Sequence, residues 1–231
     1  TDVVLNGTSV WDLQAVQTVA SLSMASGSSI ARSAGTSSLT VSGASTLANS
    51  VSTSGTQTYQ GAVTLAAATT LTASTVNTQS TLAGGNNALT ITGAADIGGA
   101  YTGLSSLSVS GTTNLAANVT TTSTQSYSDT VTVSGGSRTL SGSGLSLTAV
   151  DLGSNTLTAS ESGTGTISGV IAGTGALTKS GAGTLTLSGA NTYSGDTTVN
   201  AGTLKLTGAL NTATDVVLNG TSVWDLQAVQ T

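Results

Sequence analysis

The residues able to do chemistry in this 231-residue chain are few and mostly acidic. It contains no His and no Cys, which removes the usual general base near neutral pH, the thiolate nucleophile and most zinc ligand sets. Carboxylates remain, and two of them held close could share a proton, hold a cation or work as acid and base on a polysaccharide. Two spacings invite that geometry: Asp129 with Asp151, 22 residues apart, and Asp196 with Asp215, 19 residues apart. The other acids, among them Asp2, Asp12, Asp96 and Glu161, are scattered and read as separate solvated turn residues. The expectation is therefore no catalytic residue, no cofactor and no enzyme, with Asp196 and Asp215 as the one candidate metal pair.

Other motifs fall short of the chemistry they imitate. Gly173–Ser180, GTGALTKS, is spaced like a phosphate-binding loop, but that loop needs Gly directly before Lys179 and a helix after it. Thr178 and a strand-like pattern stand there instead. Gly84-Gly85-Asn86-Asn87 has the look of a calcium-binding repeat without its Asp, and reads as a turn. Four Lys and Arg against nine Asp and Glu give a net charge of −5, which excludes a nucleic-acid groove. Asn6-Gly7-Thr8 and Asn118-Val119-Thr120 fit the glycosylation acceptor pattern, which arises by chance in a chain this rich in Asn and Thr.

The elements that would position these residues are strands. A mean hydropathy of +0.25 with so few charges is the opposite of a disordered composition. Thr, Ser, Gly and Val dominate, so long helices are disfavoured. Leu39-Thr40-Val41, Val63-Thr64-Leu65, Leu89-Thr90-Ile91, Leu107-Ser108-Val109, Val131-Thr132-Val133, Leu145-Ser146-Leu147, Leu185-Thr186-Leu187 and Leu204-Lys205-Leu206 each set two apolar residues around a polar one. That alternation predicts short strands with the apolar pair inside and the middle residue outside. Gly, Asn and Ser clusters between them predict tight turns.

Repeats select the architecture. Thr1–Thr18, TDVVLNGTSVWDLQAVQT, recurs letter for letter as Thr214–Thr231. The chain reads as one repeat unit, residues 1–213, followed by the start of the next identical unit, residues 214–231. The duplicated segment is expected to follow the same backbone path at both places. A nested repeat aligns Ser38–Leu65 with Ser106–Val133 at an offset of 68, with 14 of 28 positions identical. Such nesting predicts an all-β parallel β-solenoid of roughly ten coils per unit, each coil touching only its neighbours. A thin coil is expected to be filled by Leu, Val, Ile and Ala ladders rather than by large rings. Trp11 and its copy Trp224, one per unit, plug the joint between units or form an outside contact.

Gly173–Leu206, GTGALTKSGAGTLTLSGANTYSGDTTVNAGTLKL, closely resembles the passenger-associated repeat of bacterial autotransporters. Thr56–Leu65, TQTYQGAVTL, echoed at Thr124–Val133, resembles filamentous haemagglutinin-like large exoproteins. The resemblance implies a right-handed β-helix exported by a type V route, and an extracellular or cell-surface place for the chain. Asp196 departs from it, standing where many such repeats carry Gly or Asn. The function expected is a structural fibre or adhesin stalk, a mechanical scaffold for adhesion or biofilm matrix. Its expected partners are further copies of the repeat end to end, with lateral fibre contacts or glycans, and no membrane insertion in this segment. Two alternatives stay open: a glycan- or surface-binding module with outward Thr ladders, and a carbohydrate-active β-helix.

Overall fold

The computed structural model describes residues 1–227, and every regular element among them is a β-strand. The chain divides into two compact units, residues 1–111 and 112–231. Each is a β-solenoid of stacked coils in which strands pair in parallel with the strand one coil later.

In the first unit three parallel sheets make up each coil. One runs through Asp2–Leu5, Ser21–Met24, the start of Ser45–Ser52, the start of Val63–Thr78, Leu82–Ala83 and Tyr101–Leu104. A second aligns Trp11 with Ile30, then Val51, Leu71, Ile91 and Val109. The third aligns Val19, Val41, Tyr59, Thr78 and Ile97. Paired residues lie 18 to 23 apart, as in Ser45 with Val63 and Leu22 with Ser45. That is the length of one coil.

The second unit repeats the plan. Val119, Leu140, Ala159, Lys179, Val199 and Leu218 stack along one sheet. Gln125, Leu145, Gly165, Leu185, Leu204 and Trp224 stack along another.

Period-two alternation explains which side chains face inward. Both apolar residues of all eight predicted triplets are buried, and the middle residues are exposed or half-buried. Corners stay tight because small residues stack there. A Cβ on Gly189 would overlap the Gly169 carbonyl oxygen, and one on Gly208 would overlap that of Gly189. Only a residue without a side chain lets successive corners sit one layer apart, about 4.8 Å.

The expected core of Leu, Val, Ile and Ala needs correction. Tyr59, Tyr101, Tyr127 and Tyr193 are the largest fully buried side chains, and Gln57, Gln125, Lys179 and Glu161 are buried with them. These rings fit because each hydroxyl has a partner inside. Tyr59 donates to Gln57 Oε1 at 3.1 Å, and Tyr127 to Gln125 Oε1 at 3.0 Å. Tyr101 bonds Thr78 Oγ1 at 2.9 Å, and Tyr193 bonds Thr197. The two Gln amides in turn donate to strand carbonyls, Gln57 to Val51 and Thr72 and Gln125 to Val119 and Ser141. The 68-residue repeat thus preserves a polar pin through the apolar interior, and its amides are satisfied by backbone groups.

Candidate functional site

The acidic pairs come out differently. Asp151 pairs with Thr132, because the register shifts between Tyr127 and Thr130, so Asp129 does not lie opposite it. The spacing alone does not bring Asp129 and Asp151 together, and the bulge is the reason. Asp196 and Asp215 do occupy neighbouring coils: Thr197 N donates to the Asp215 carbonyl at 2.8 Å, and Leu177 N to that of Asp196 at 3.0 Å. Both side chains are exposed. Among the described residues no group of three or more His, Cys, Asp or Glu could hold a metal ion.

The chemistry missed in the sequence lies inside the coil. Glu161 and Lys179 are fully buried, with Lys179 Nζ 3.0 Å from Glu161 Oε1. Lys179 also donates to the carbonyls of Gly181 and Ala201. Burial pushes the Glu161 carboxyl above its usual range, against the opposing pull of Lys179. Gly165 makes the room, since a Cβ there would press on Glu161 Cγ and Cδ at 3.3 Å. The signal was parity: Lys179 follows Leu177 by two, and Glu161 follows Leu157 and Ala159 by four and two, so both share the inward phase. The Lys of the apparent phosphate loop is therefore the second half of an internal ion pair, on the strand Leu177–Lys179.

Gly84–Asn87 is a turn, with Gly85 and Asn86 at φ of 57° and 63° and Asn87 N donating to Gly84 O at 2.9 Å. The Asn87 amide then reaches back to Leu65 O at 3.0 Å, and 68 residues on Asn155 does the same to Val133 O at 2.8 Å.

Outside, hydroxyls stand in double columns. In the first unit Ser50, Thr70, Thr90 and Ser108 align, beside Ser52, Thr72 and Thr92. In the second unit Thr164, Thr184 and Thr203 align, beside Thr166, Thr186 and Lys205. Columns two residues apart on a strand are about 7 Å apart, with about 4.8 Å between layers.

Thr1–Thr18 and its copy share their local path. Asp2–Leu5 and Val10–Asp12 correspond to Val216–Leu218 and Val223–Leu226, with the same turn between: Gly7 and Gly220 have φ of 58° and 60°, and Ser9 N and Ser222 N each donate to the Asn three residues back at 3.2 Å. Trp11 pairs with Ile30 and Trp224 with Leu204, on inward-facing columns, and both indoles are half-buried. Residues 228–231, the end of the copy, lie outside the described residues.

These features define a repetitive parallel β-solenoid with a polar pin, corner glycines and a hydroxyl-rich surface of low charge. Residues 177–206 match the family model described as passenger-associated-transport-repeat. That segment and the stacked coils fit an autotransporter passenger repeat, and so a passenger-like structural domain of a secreted or cell-surface protein. No curated protein and no solved structure matches the chain.

Proposed function

We propose that this chain is a stretch of an extracellular stalk, built of tandem 213-residue units stacked end to end, that holds an adhesive or matrix-forming protein away from the bacterial surface. The observation that carries this reading is the match at residues 177–206 falling on strands and corners that stack coil on coil, Leu177–Lys179 on Thr197–Val199 and Thr184–Leu187 on Thr203–Leu206. Stiffness then comes from hydrogen bonds that run along the axis, and length from repetition. No reaction and no metal is assigned to it. Asp196 and Asp215 act as solvated corner residues.

The test uses the full-length gene with an epitope tag placed in an exposed corner such as Ser33–Thr36. Protease added to intact cells should cleave the tagged protein while a periplasmic marker survives. Protection of the tag until lysis would overturn the surface assignment. Incubation with common polysaccharides should release no reducing or unsaturated sugar ends, and their release would overturn the structural reading.

The double hydroxyl columns favour a second reading, in which the solenoid also binds a glycan or an extended surface. Retention on immobilised polysaccharide should then fall when Thr184 and Thr186 are both changed to Asp. Equal retention would remove this reading.

A further inference from the structure

The duplicated coil shows its two neighbours separately, one in each copy. Asp2–Leu5 and Val10–Asp12 pair with the coil that follows, through Asp2 with Ser21, Val3 with Leu22, Leu5 with Met24 and Trp11 with Ile30. Val216–Leu218 and Val223–Leu226 pair with the coil that precedes, through Val216 with Thr197, Leu218 with Val199, Trp224 with Leu204 and Leu226 with Leu206. Because the two segments are identical in sequence and local path, one coil can carry both sets of bonds at once. We infer that adjacent units share this coil as a strand-for-strand joint, in which residues 214–227 of one unit receive Ser21–Met24 and Ser29–Ala31 of the next in the register seen at residues 2–12. The inference rests on the tandem array proposed above and names its seam.

Differences in exposure between the copies agree. Leu13 is 1% exposed under the coil that follows it, whereas its copy Leu226 is 47% exposed. Leu5 is half-buried, and its copy Leu218 is 46% exposed. Of the eight exposed large apolar residues among the described residues, all but Val170 lie in the duplicated segment. Polar contacts differ in the same sense. Asp12 accepts from Ser33 N at 2.9 Å and Ser33 Oγ at 2.5 Å on the following coil, and Asp2 accepts from Ser21 Oγ at 2.6 Å. Asp225 keeps the Gln bond that Asp12 also has, Gln227 Nε2 to Oδ1 at 2.9 Å. In the joint, Ser33 and Ser21 of the following unit complete Asp225 and Asp215. The indole of Trp224 then lies between Leu204 and the next unit's Ile30, both positions that are fully buried in the structure.

The experiment is a chain of two units, residues 1–231 followed by residues 19–231, with the first and last Trp changed to Phe so that only the joint Trp fluoresces. The references are the single chain with Trp11→Phe and the single chain with Trp224→Phe. The joint Trp should emit at shorter wavelength and be quenched by acrylamide several-fold less than either reference. A slip of one residue would turn the indole outward, so a joint Trp as accessible as in the references would overturn the seam. Small-angle scattering separates this from the array reading. A maximum dimension close to twice that of the single chain supports the array whatever the Trp reports, and an unchanged dimension overturns the array itself.

Discussion

Inside the second unit, the Glu161–Lys179 pair sets the balance at the scale of single residues. Two charges lose their hydration there, and removing one of them leaves the other buried without its counter-ion. Lys179→Met should therefore lower unfolding free energy by about 3–5 kcal/mol, whereas Glu161→Leu with Lys179→Met should come close to the parent or above it. Denaturant titration of the two variants decides this, and a double variant as unstable as Lys179→Met alone would refute it. The raised carboxyl gives a pH signature. Glu161 holds its proton more tightly folded than unfolded, so its contribution is fully present below the ordinary value of 4.5 and is lost as pH rises through the folded value. Relative to the double variant, the parent should gain stability on going from neutral pH to pH below 4.5.

The tyrosine pins behave similarly at the alkaline end. Burial pushes the phenols of Tyr59 and Tyr101 upward and that of Tyr193 to about 12. An unfolded phenol titrates near 10, so stability should fall as pH rises above that value. The phenolate absorbance should appear together with the loss of β-sheet signal. Titration of Tyr59, Tyr101 and Tyr193 in a protein still folded would contradict their burial. Gln57→Ala takes the side-chain donor from the Val51 carbonyl, leaves Thr72 O with Thr53 N alone, and removes the acceptor of the buried Tyr59 hydroxyl, which together should cost about 1–3 kcal/mol.

At the scale of the element, the corner is more restrictive than the strand. Strand positions such as Thr64 and Thr132 face outward and accept other β-branched residues. Gly189 has a corner above it and a corner below it. Gly189→Ala should destabilise by about 1–3 kcal/mol through overpacking against the Gly169 backbone, while Thr186→Val on the adjacent strand should stay within about 0.5 kcal/mol. Thermal unfolding of the two variants compares them directly. Equal midpoints would show that the corner relaxes. This crowding keeps glycine at the corner: one recurs at Gly169, Gly189 and Gly208, once per coil.

At the scale of the whole molecule, stability is a sum of coils and their nearest-neighbour contacts. Deleting Thr64–Leu82 removes one coil, because Val63 and Leu82 are register partners. The shortened chain should fold with β-sheet circular dichroism and a cooperative transition. Deleting only residues 64–73 would leave the following strands half a turn out of phase and should abolish that transition. If both deletions behave alike, register is not what holds the coils. The chain holds only nine acids and four bases in 231 residues, and Glu161 and Lys179 are buried, so the surface leaves lateral contacts little repulsion to overcome.

Sequence alone determined the strand phase, the solenoid class and the 18-residue duplication. The physical reason is that alternation and periodicity are local: Leu39-Thr40-Val41 can bury only one face, and an 18-residue identity needs no third dimension to be seen. The passenger-type segment was legible for the same reason, since GTLTLSGANTYSG and TTVNAGTL stand intact in order within it. Tertiary structure decided which residues become neighbours across coils. Coil length varies from 18 to 23 residues, and bulges shift the register. A fixed spacing therefore coincides with neighbouring coils at Asp196 and Asp215 but not at Asp129 and Asp151. The same dependence hid the Glu161–Lys179 pair and the Gln–Tyr pins. Their inward phase was readable, but whether an inward charge or ring finds a partner is settled only when one coil closes over another.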